Sequence, residues 1–466
     1  MDKSAGKWQI AVETLQIYFM LNKSKNKSQL GFYSSFEEQL SHRHPLYILA
    51  GKINWQLFED SFSPLYHNQT GRPAKPIRLM VSLLILKHVR NLSDESVVEQ
   101  WAENSYYQYF SGEKMFACDG PCEASELVHF RHRIGEKGIE LILQESIRVN
   151  GDDSQDPHVS VDTTVQEKNI TYPTDDKLFK KIIRKCQGIT EQEQLPLRQS
   201  YVRTLKKLSI NQRFRNHPKN QNKARKADRK VKTIAGRLVR ELERNLPAGS
   251  KYQADLELFK KVLAQKRNDS NKIYSLHEPE VQCISKGKEH KKYEFGNKVS
   301  VVYTQNTGVI VGALGFRNEY DGHTLAPSLE QTIRLTGQPP QTATVDRGYK
   351  GKSKIGETVI QMPKPFNDKT HSKYHQNKLK KCFGRRAAIE PVISHLKSDY
   401  RLKRNFYKGI TGDNINVMLS AAAFNFKRMI NTWKGIFGSF LQKLFSALIL
   451  LAQRIINPFE RLKLSF

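Results

Sequence analysis

The sequence predicts a mixed α/β protein, with an all-helical amino-terminal region and a sheet-and-helix core interrupted by a basic helical insertion. Three observations predict it. The hydrophobic rhythm switches from helical spacing to alternation at His158 and back to helical spacing near Thr174. Alternating runs return from about Glu280, bounded by turn residues and interleaved with helical stretches. Between these two zones lies a long polar segment of helical pattern, dense in Lys and Arg.

The composition supports this layout and narrows the partners. A chain of 466 residues can bury a sizeable core, and 38% apolar with 26% charged residues is the balance of a soluble globular protein. Lys and Arg number 76 against 46 Asp and Glu, a formal net charge of +30. Such an excess repels itself unless a polyanion neutralises it, which makes nucleic acid the leading partner. Five scattered cysteines, Cys118, Cys122, Cys186, Cys283 and Cys382, offer neither a disulfide framework nor a zinc set and read as reduced cytosolic thiols. The apolar stretch Phe437 to Ala452 is too short for a membrane span and carries Lys443, so a buried or partner-binding helix is expected there and no membrane.

Taken in order, residues 1–40 read as a polar arm, and 41–150 as a helical domain. Within it, Ile77 to Val89 has helical spacing behind Pro73 and Pro76. Ser93 is placed to cap a helix from Asp94, and another helix follows Pro121. Short helices with basic ends suit a DNA-binding module, and suit equally a bundle that packs on the core. A core domain spans 156–435. It opens on the strand His158-Val-Ser-Val-Asp-Thr-Thr-Val, and the basic insertion occupies about 174–271. The centre of the insertion, Arg213 to Lys232, carries Arg213, Arg215, Lys223, Arg225, Lys226, Arg229 and Lys230. Runs like this are often only solvated faces, but its sign matches the whole-chain excess and favours contact with a DNA backbone. Pro218 should break the helix there, with a continuous helix resuming near Asn222. Strands are expected at Val281 to Ile284, Tyr293 to Tyr303 and Val309 to Phe316, then a helix at Leu325 to Thr336 and a short strand at Thr342 to Asp346. Helices follow at Ala387 to Lys397 and Asn414 to Trp433, and 436–466 form an apolar tail.

Two carboxylates end β-type runs: Asp162 after Val-Ser-Val and Asp346 after Ala-Thr-Val. The carboxyl ends of strands are where α/β sheets place functional groups, although a lone Asp there commonly only makes a turn. A third acid, Glu390, lies in Gly384-Arg-Arg-Ala-Ala-Ile-Glu-Pro-Val-Ile-Ser-His-Leu-Lys. On one helix, Arg386, Glu390 and Lys397 would fall within about 40° of each other, an acid flanked by two cations. Pro391 is awkward inside a helix and fits best in the first turn of one that begins near Glu390.

Together these segments resemble the catalytic blocks of DDE transposases of the insertion-sequence-five group, within the insertion-sequence-four-like superfamily. Val161-Asp162-Thr163-Thr164 resembles the first block and Thr344-Val345-Asp346-Arg347-Gly348-Tyr349 the second. Arg386, Glu390 and Lys397 resemble the third, with Phe383 where the family pattern has Tyr. The segment from Asn318 through Asp321 to His323 resembles a block that precedes the second Asp. The resemblance implies an RNase H-like mixed sheet flanked by helices, with Asp162, Asp346 and Glu390 as catalytic metal ligands. Two Mg2+ ions would be held there, with Mn2+ able to substitute. It implies phosphate contacts from Arg386 and Lys397, double-stranded DNA as substrate (terminal inverted repeats and target), a homodimer on DNA, and a cytoplasmic, nucleoid-associated location. Two alternatives stay open: a non-catalytic DNA-binding protein, and an RNase H-like nuclease that cuts without joining.

Overall fold

The computed structural model describes residues 20–21, 35–67, 73–247, 249–266, 268–285, 292–317, 319–349, 353–362 and 372–433. Most of the expected arm (1–40) and all of the expected apolar tail (436–466) lie outside the described residues.

A small parallel pair, β1 (Met20–Leu21) and β2 (Pro73–Ala74), accompanies seven helices: α1 (Phe36–Gln39), α2 (Pro45–Lys52), α3 (Trp55–Phe62), α4 (Ile77–Val89), α5 (Asp94–Glu103), α6 (Ser105–Phe110) and α7 (Ala124–Arg148). Local chemistry sets their ends. The Ser93 hydroxyl accepts from the Ser96 N–H at 3.0 Å to cap α5, and Glu123 and Glu126 form a reciprocal capping box at the start of α7. Inside α7, Gly135 has φ 58, a left-handed value that glycine adopts without strain, and the helix kinks there. Nearly all of α4 is buried, so it is the central rod of this region.

The core sheet begins with β3 (His158–Lys168), longer than the run expected from sequence, and continues with β4 (Gln282–Ser285), β5 (Tyr293–Thr304) and β6 (Ile310–Phe316). After α12 (Asp321–Thr336) come β7 (Thr342–Thr344), β8 (Lys354–Ile355) and β9 (Thr358–Gln361). β5 pairs antiparallel with β3 on one side and with β6 and β4 on the other. β7 and β9 add parallel strands beyond β3, and β8 closes that edge antiparallel. The order β6-β5-β3-β7-β9, antiparallel then parallel, is the mixed sheet expected of an RNase H-like fold. Gly296 lets β5 approach β3, since any Cβ there would collide with the Gln166 carbonyl. One face of the sheet is covered by α12. The other meets α14 (Ile389–Ser398), which follows α13 (Lys373–Arg386), and α15 (409–433). β10 (Arg404–Asn405) extends the far end of β3.

The expected insertion is α8 (Asp175–Gln192), α9 (Val202–Asn211), α10 (Pro218–Asn245) and α11 (Gln253–Ala264). α10 starts four residues before the expected point, with Pro218 in its first turn, where a missing N–H costs nothing. Likewise α12 starts at Asp321 rather than Leu325, and α15 at 409 rather than 414.

Apolar packing divides these parts unevenly. Residues of the amino-terminal helices, such as Leu83, Trp101 and Ile142, belong to one continuous cluster with Val161 and Val301 of the sheet and Phe426 of α15. The insertion instead has a core of its own, built from residues such as Ile182, Ile234, Leu238 and Phe259. No helix of the described residues is long and apolar enough to cross a membrane.

Candidate active site

The first two acids meet because of strand register. β3 and β7 run parallel with His158 beside Thr342 and Ser160 beside Thr344. Continuing that register by two residues sets Asp346 beside Asp162, and neighbours at one register position share a face of the sheet. Each carboxylate is anchored by the backbone that follows it. Thr163 N–H donates to Asp162 Oδ1 at 2.8 Å, and Arg347 N–H donates to Asp346 Oδ1 at 2.6 Å. The second oxygens converge on one cation: Arg386 Nη2 lies 3.8 Å from Asp162 Oδ2 and 3.7 Å from Asp346 Oδ2. These separations are ion pairs beyond hydrogen-bond length. The buried Arg386 Nε has no hydrogen-bond partner. The guanidinium therefore neutralises both acids without a bidentate fit to either.

Beneath this pair lies a support to which sequence reasoning assigned no role. Asp321, at the start of α12, accepts from the Thr163 hydroxyl at 2.9 Å and pairs with Lys298 Nζ at 2.9 Å. Tyr320 OH donates to the Gly348 carbonyl at 2.5 Å, and Tyr349 N–H donates to the Asp346 carbonyl at 3.1 Å. Together these contacts tie the turn after Asp346 to the segment that approaches α12. The Tyr349 ring is buried, and its hydroxyl makes no hydrogen bond of good geometry. Burial first, then the charges of Asp162 and Asp321, raise its pKa well above the usual phenol value, so it stays neutral under the acids. The signal was present in the sequence as the segments around Asp321 and Tyr349, but their meeting depends on sheet register.

The third acid behaves differently. The expectation that Arg386, Glu390 and Lys397 share one helical face is corrected: α13 ends at Arg386 and α14 begins at Ile389. Tight turns separate them, with Ala387 N–H donating to Gly384 O and Glu390 N–H to Ala387 O, both at 3.2 Å. Pro391 has no N–H to continue the ladder backward, so the helix restarts there with Pro391 in its first turn, as expected. Glu390 is exposed in that first turn, where the helix dipole favours an acid, while Ile389, Val392 and Leu396 are buried. Lys397 and Phe383 are partly buried. Among the described residues, no three His, Cys, Asp or Glu side chains stand close enough to hold one metal ion together. What the structure does gather is two hard oxygen donors on a single positive centre. That donor set fits a divalent cation of the magnesium type, with Arg386 standing where positive charge is required.

The seven basic residues expected to contact DNA, Arg213 to Lys230, are all exposed. Lys223, Arg225, Lys226, Arg229 and Lys230 line the outer side of α10, whose Ala224, Ala227 and Val231 face the insertion core. Arg215 is paired with Asp228 at 2.9 Å.

Two stretches of the chain match known families. The Transposase domain family (DUF772) matches residues 34–133, and the Transposase DDE domain family matches residues 268–426. The second match contains Asp346, Arg386 and Glu390 but starts after Asp162, which the insertion separates from the rest of the core. The "Uncharacterized protein ORF8 in nfe locus" of Rhizobium meliloti is 38% identical over 195 residues, 41% of this chain and 93% of that protein. No solved structure matches the chain.

Proposed function

The chain belongs to the DDE transposases, and from that premise we propose that it cuts DNA at the ends of an insertion sequence of the insertion-sequence-five group and joins the freed 3′ ends to target DNA. The observation that supports this reading best is the convergence of Asp162, midway along β3, and Asp346, just past the end of β7, on one positive centre. Asp162, Asp346 and Glu390 would hold Mg2+, two ions in all with Mn2+ as a substitute. Such ions supply charge stabilisation on the attacking and leaving oxygens of a phosphodiester.

The chain's own residues do the rest. The backbone N–H groups of Thr163 and Arg347 fix one oxygen of each Asp, so the other stays aimed into the site. Arg386 offsets the two charges until substrate arrives, and its planar guanidinium then suits a DNA phosphate, with Lys397 as a second phosphate partner. The exposed cations of α10 and of the turn before it contact backbone phosphates along the duplex. The helices of 41–150 take part in recognising the terminal repeats, and a homodimer on the nucleoid brings two ends together.

The test is cleavage and joining of labelled DNA carrying the element's ends, in Mg2+ and in Mn2+, by the intact chain, Asp162→Asn and Asp346→Ala. Both variants are expected to bind the duplex and neither to cut it. Cutting that survives either substitution places the active site elsewhere. Binding by all three with no cutting by any makes the protein a DNA-binding module. Cutting without joining makes it a nuclease.

A further inference from the structure

At the far end of β3 from Asp162, a cavity of about 450 Å3 opens on the surface, within the size range of ligand pockets. Its walls combine aromatic rings with cations and one carboxylate, Glu167. Tyr172 and Tyr293 line it and are 59% and 41% exposed, a large apolar surface to leave in water. Phe295 forms the floor between them, edge-on to Tyr172 at 5.4 Å between centroids and braced from behind by Tyr274 at 5.2 Å. Exposed Lys403 and Arg404 stand at the rim, and Arg404 is steadied by donation to the Ile170 carbonyl at 3.3 Å. Lys292 Nζ sits 5.6 Å from the Tyr293 ring centroid. Lys177 donates to the Tyr172 carbonyl and Lys181 to the Thr171 hydroxyl, each at 3.1 Å, which brings two further cations to the same edge. Lys168 also lines the cavity, six positions along β3 from Asp162 and on the same side of the alternation. At roughly 3.3 Å per residue the cavity lies about 20 Å from the catalytic carboxylates.

We propose that this cavity receives an unstacked base of the DNA strand engaged at the carboxylates, the base lying against Tyr172 or Tyr293 and its flanking phosphates against Lys403, Arg404 and Lys292. Exposed rings accept any base through its π face, and a surrounding cationic rim tracks the backbone, which is how single-stranded nucleic acid is held without sequence readout. An uncharged apolar ligand would use the walls but leave the cations without a role. At about 3.4 Å per step of duplex, 20 Å corresponds to roughly six steps from the cut, fewer if the strand is stretched. The proposal rests on the reading of the chain as a DNA-processing enzyme.

The experiment uses the full chain and an element-end duplex bearing a short single-stranded overhang with one 5-iododeoxyuridine, moved along the overhang and activated by long-wave ultraviolet light. Cross-linking to Tyr172 or Tyr293 is expected at one or two positions only. Tyr172→Ala and Tyr293→Ala should weaken overhang binding by roughly 5- to 150-fold, while Tyr172→Phe and Tyr293→Phe bind within about twofold, which separates loss of a ring from loss of the fold. Affinity for the fully paired duplex should be unchanged in all four. Equal weakening of paired and overhang DNA by the alanine variants overturns the proposal, as does cross-linking confined to other residues. Binding of deoxyadenosine monophosphate alone, as tightly as the overhang and with the same tyrosine dependence, would make this a mononucleotide site instead. If the intact chain binds neither DNA, the DNA-processing reading itself fails.

Discussion

The amino-terminal helices and the basic insertion look alike in sequence, both helical, both with cationic stretches, both candidates for DNA contact. They differ in what they are built upon. The amino-terminal helices share their apolar core with the sheet and are also tied to it by buried polar links. Asp94 of α5 takes both Arg131 guanidinium nitrogens and Lys87 Nζ, all at 2.8 Å, and Lys87 donates on to Tyr407 OH beside β10 at 2.8 Å. Buried His88 faces Asn416 of α15 at 3.4 Å, and Asn425 of α15 bonds both the backbone of Ile310 in β6 and Ser146 of α7. The insertion buries its apolar residues against one another and leaves its cationic side outward. One region is a wall of the sheet's core, and the other is built around a core of its own.

Excision tests this contrast most severely. Replacing residues 173–276 with a short Gly/Ser linker should leave a folded remainder, because the insertion's core is self-contained and loop closure costs little. Deleting residues 35–150 should abolish cooperative unfolding altogether, since it strips one side from a continuous core. Circular dichroism melts of both shortened chains read the outcome. A folded chain after the amino-terminal deletion, or an unfolded one after excision of the insertion, would reverse the assignment.

The acid limb of stability should be dominated by the amino-terminal side. Although burial pushes the Asp94 carboxyl upward, hydrogen bonds and charge from Arg131 and Lys87 hold it at about 2. Its folded pKa lies below the unfolded value near 3.9, so the stabilisation is present above pH 4 and is lost as pH falls through about 2. The loss amounts to about 2 kcal/mol. Denaturant titrations from pH 5 to pH 2 should show it, and Asp94→Asn should flatten the curve over that window. An unchanged slope in the variant would remove Asp94 as the acid-sensitive lock.

How much of this was legible follows the range of the interactions. The cap at Ser93, the short strand before Asp346 and the restart of the helix at Pro391 are written within a few neighbouring residues and fold as expected, whereas the strand expected to end at Asp162 runs on to Lys168. The pairing of the two acids was approachable too, because the parallel register that sets His158 beside Thr342 and Ser160 beside Thr344 points on toward Asp162 and Asp346. Three things were not legible. Pro391 signals a helix that begins near Glu390, but the tight turns at Ala387 and Ala388 that end α13 at Arg386 and part it from Glu390 carry no such signal. Tyr349 and Asp321 matter through their meeting under Asp162, which sheet register decides. The ownership of the two cores depends on which apolar faces meet, and a helical pattern marks a buried face without naming what covers it.

The smallest expected effect on stability, and the sharpest on binding, comes from the outer side of α10. Lys223, Arg225, Lys226, Arg229 and Lys230 are exposed there, while the buried side of the helix holds the insertion together. Changing Arg225, Lys226, Arg229 and Lys230 to Gln should alter unfolding free energy by less than about 0.5 kcal/mol. The same change should lower duplex affinity and reduce the slope of log K against log salt by about 0.9 for each phosphate no longer neutralised. Matching substitutions of exposed amino-terminal cations, Arg43 and Lys52, provide the contrast. If they reduce the slope as much while the α10 variant leaves it unchanged, the wall of the core, rather than the insertion, is the main backbone clamp. If the α10 variant alone reduces it, the cationic surface of the insertion is the main backbone clamp.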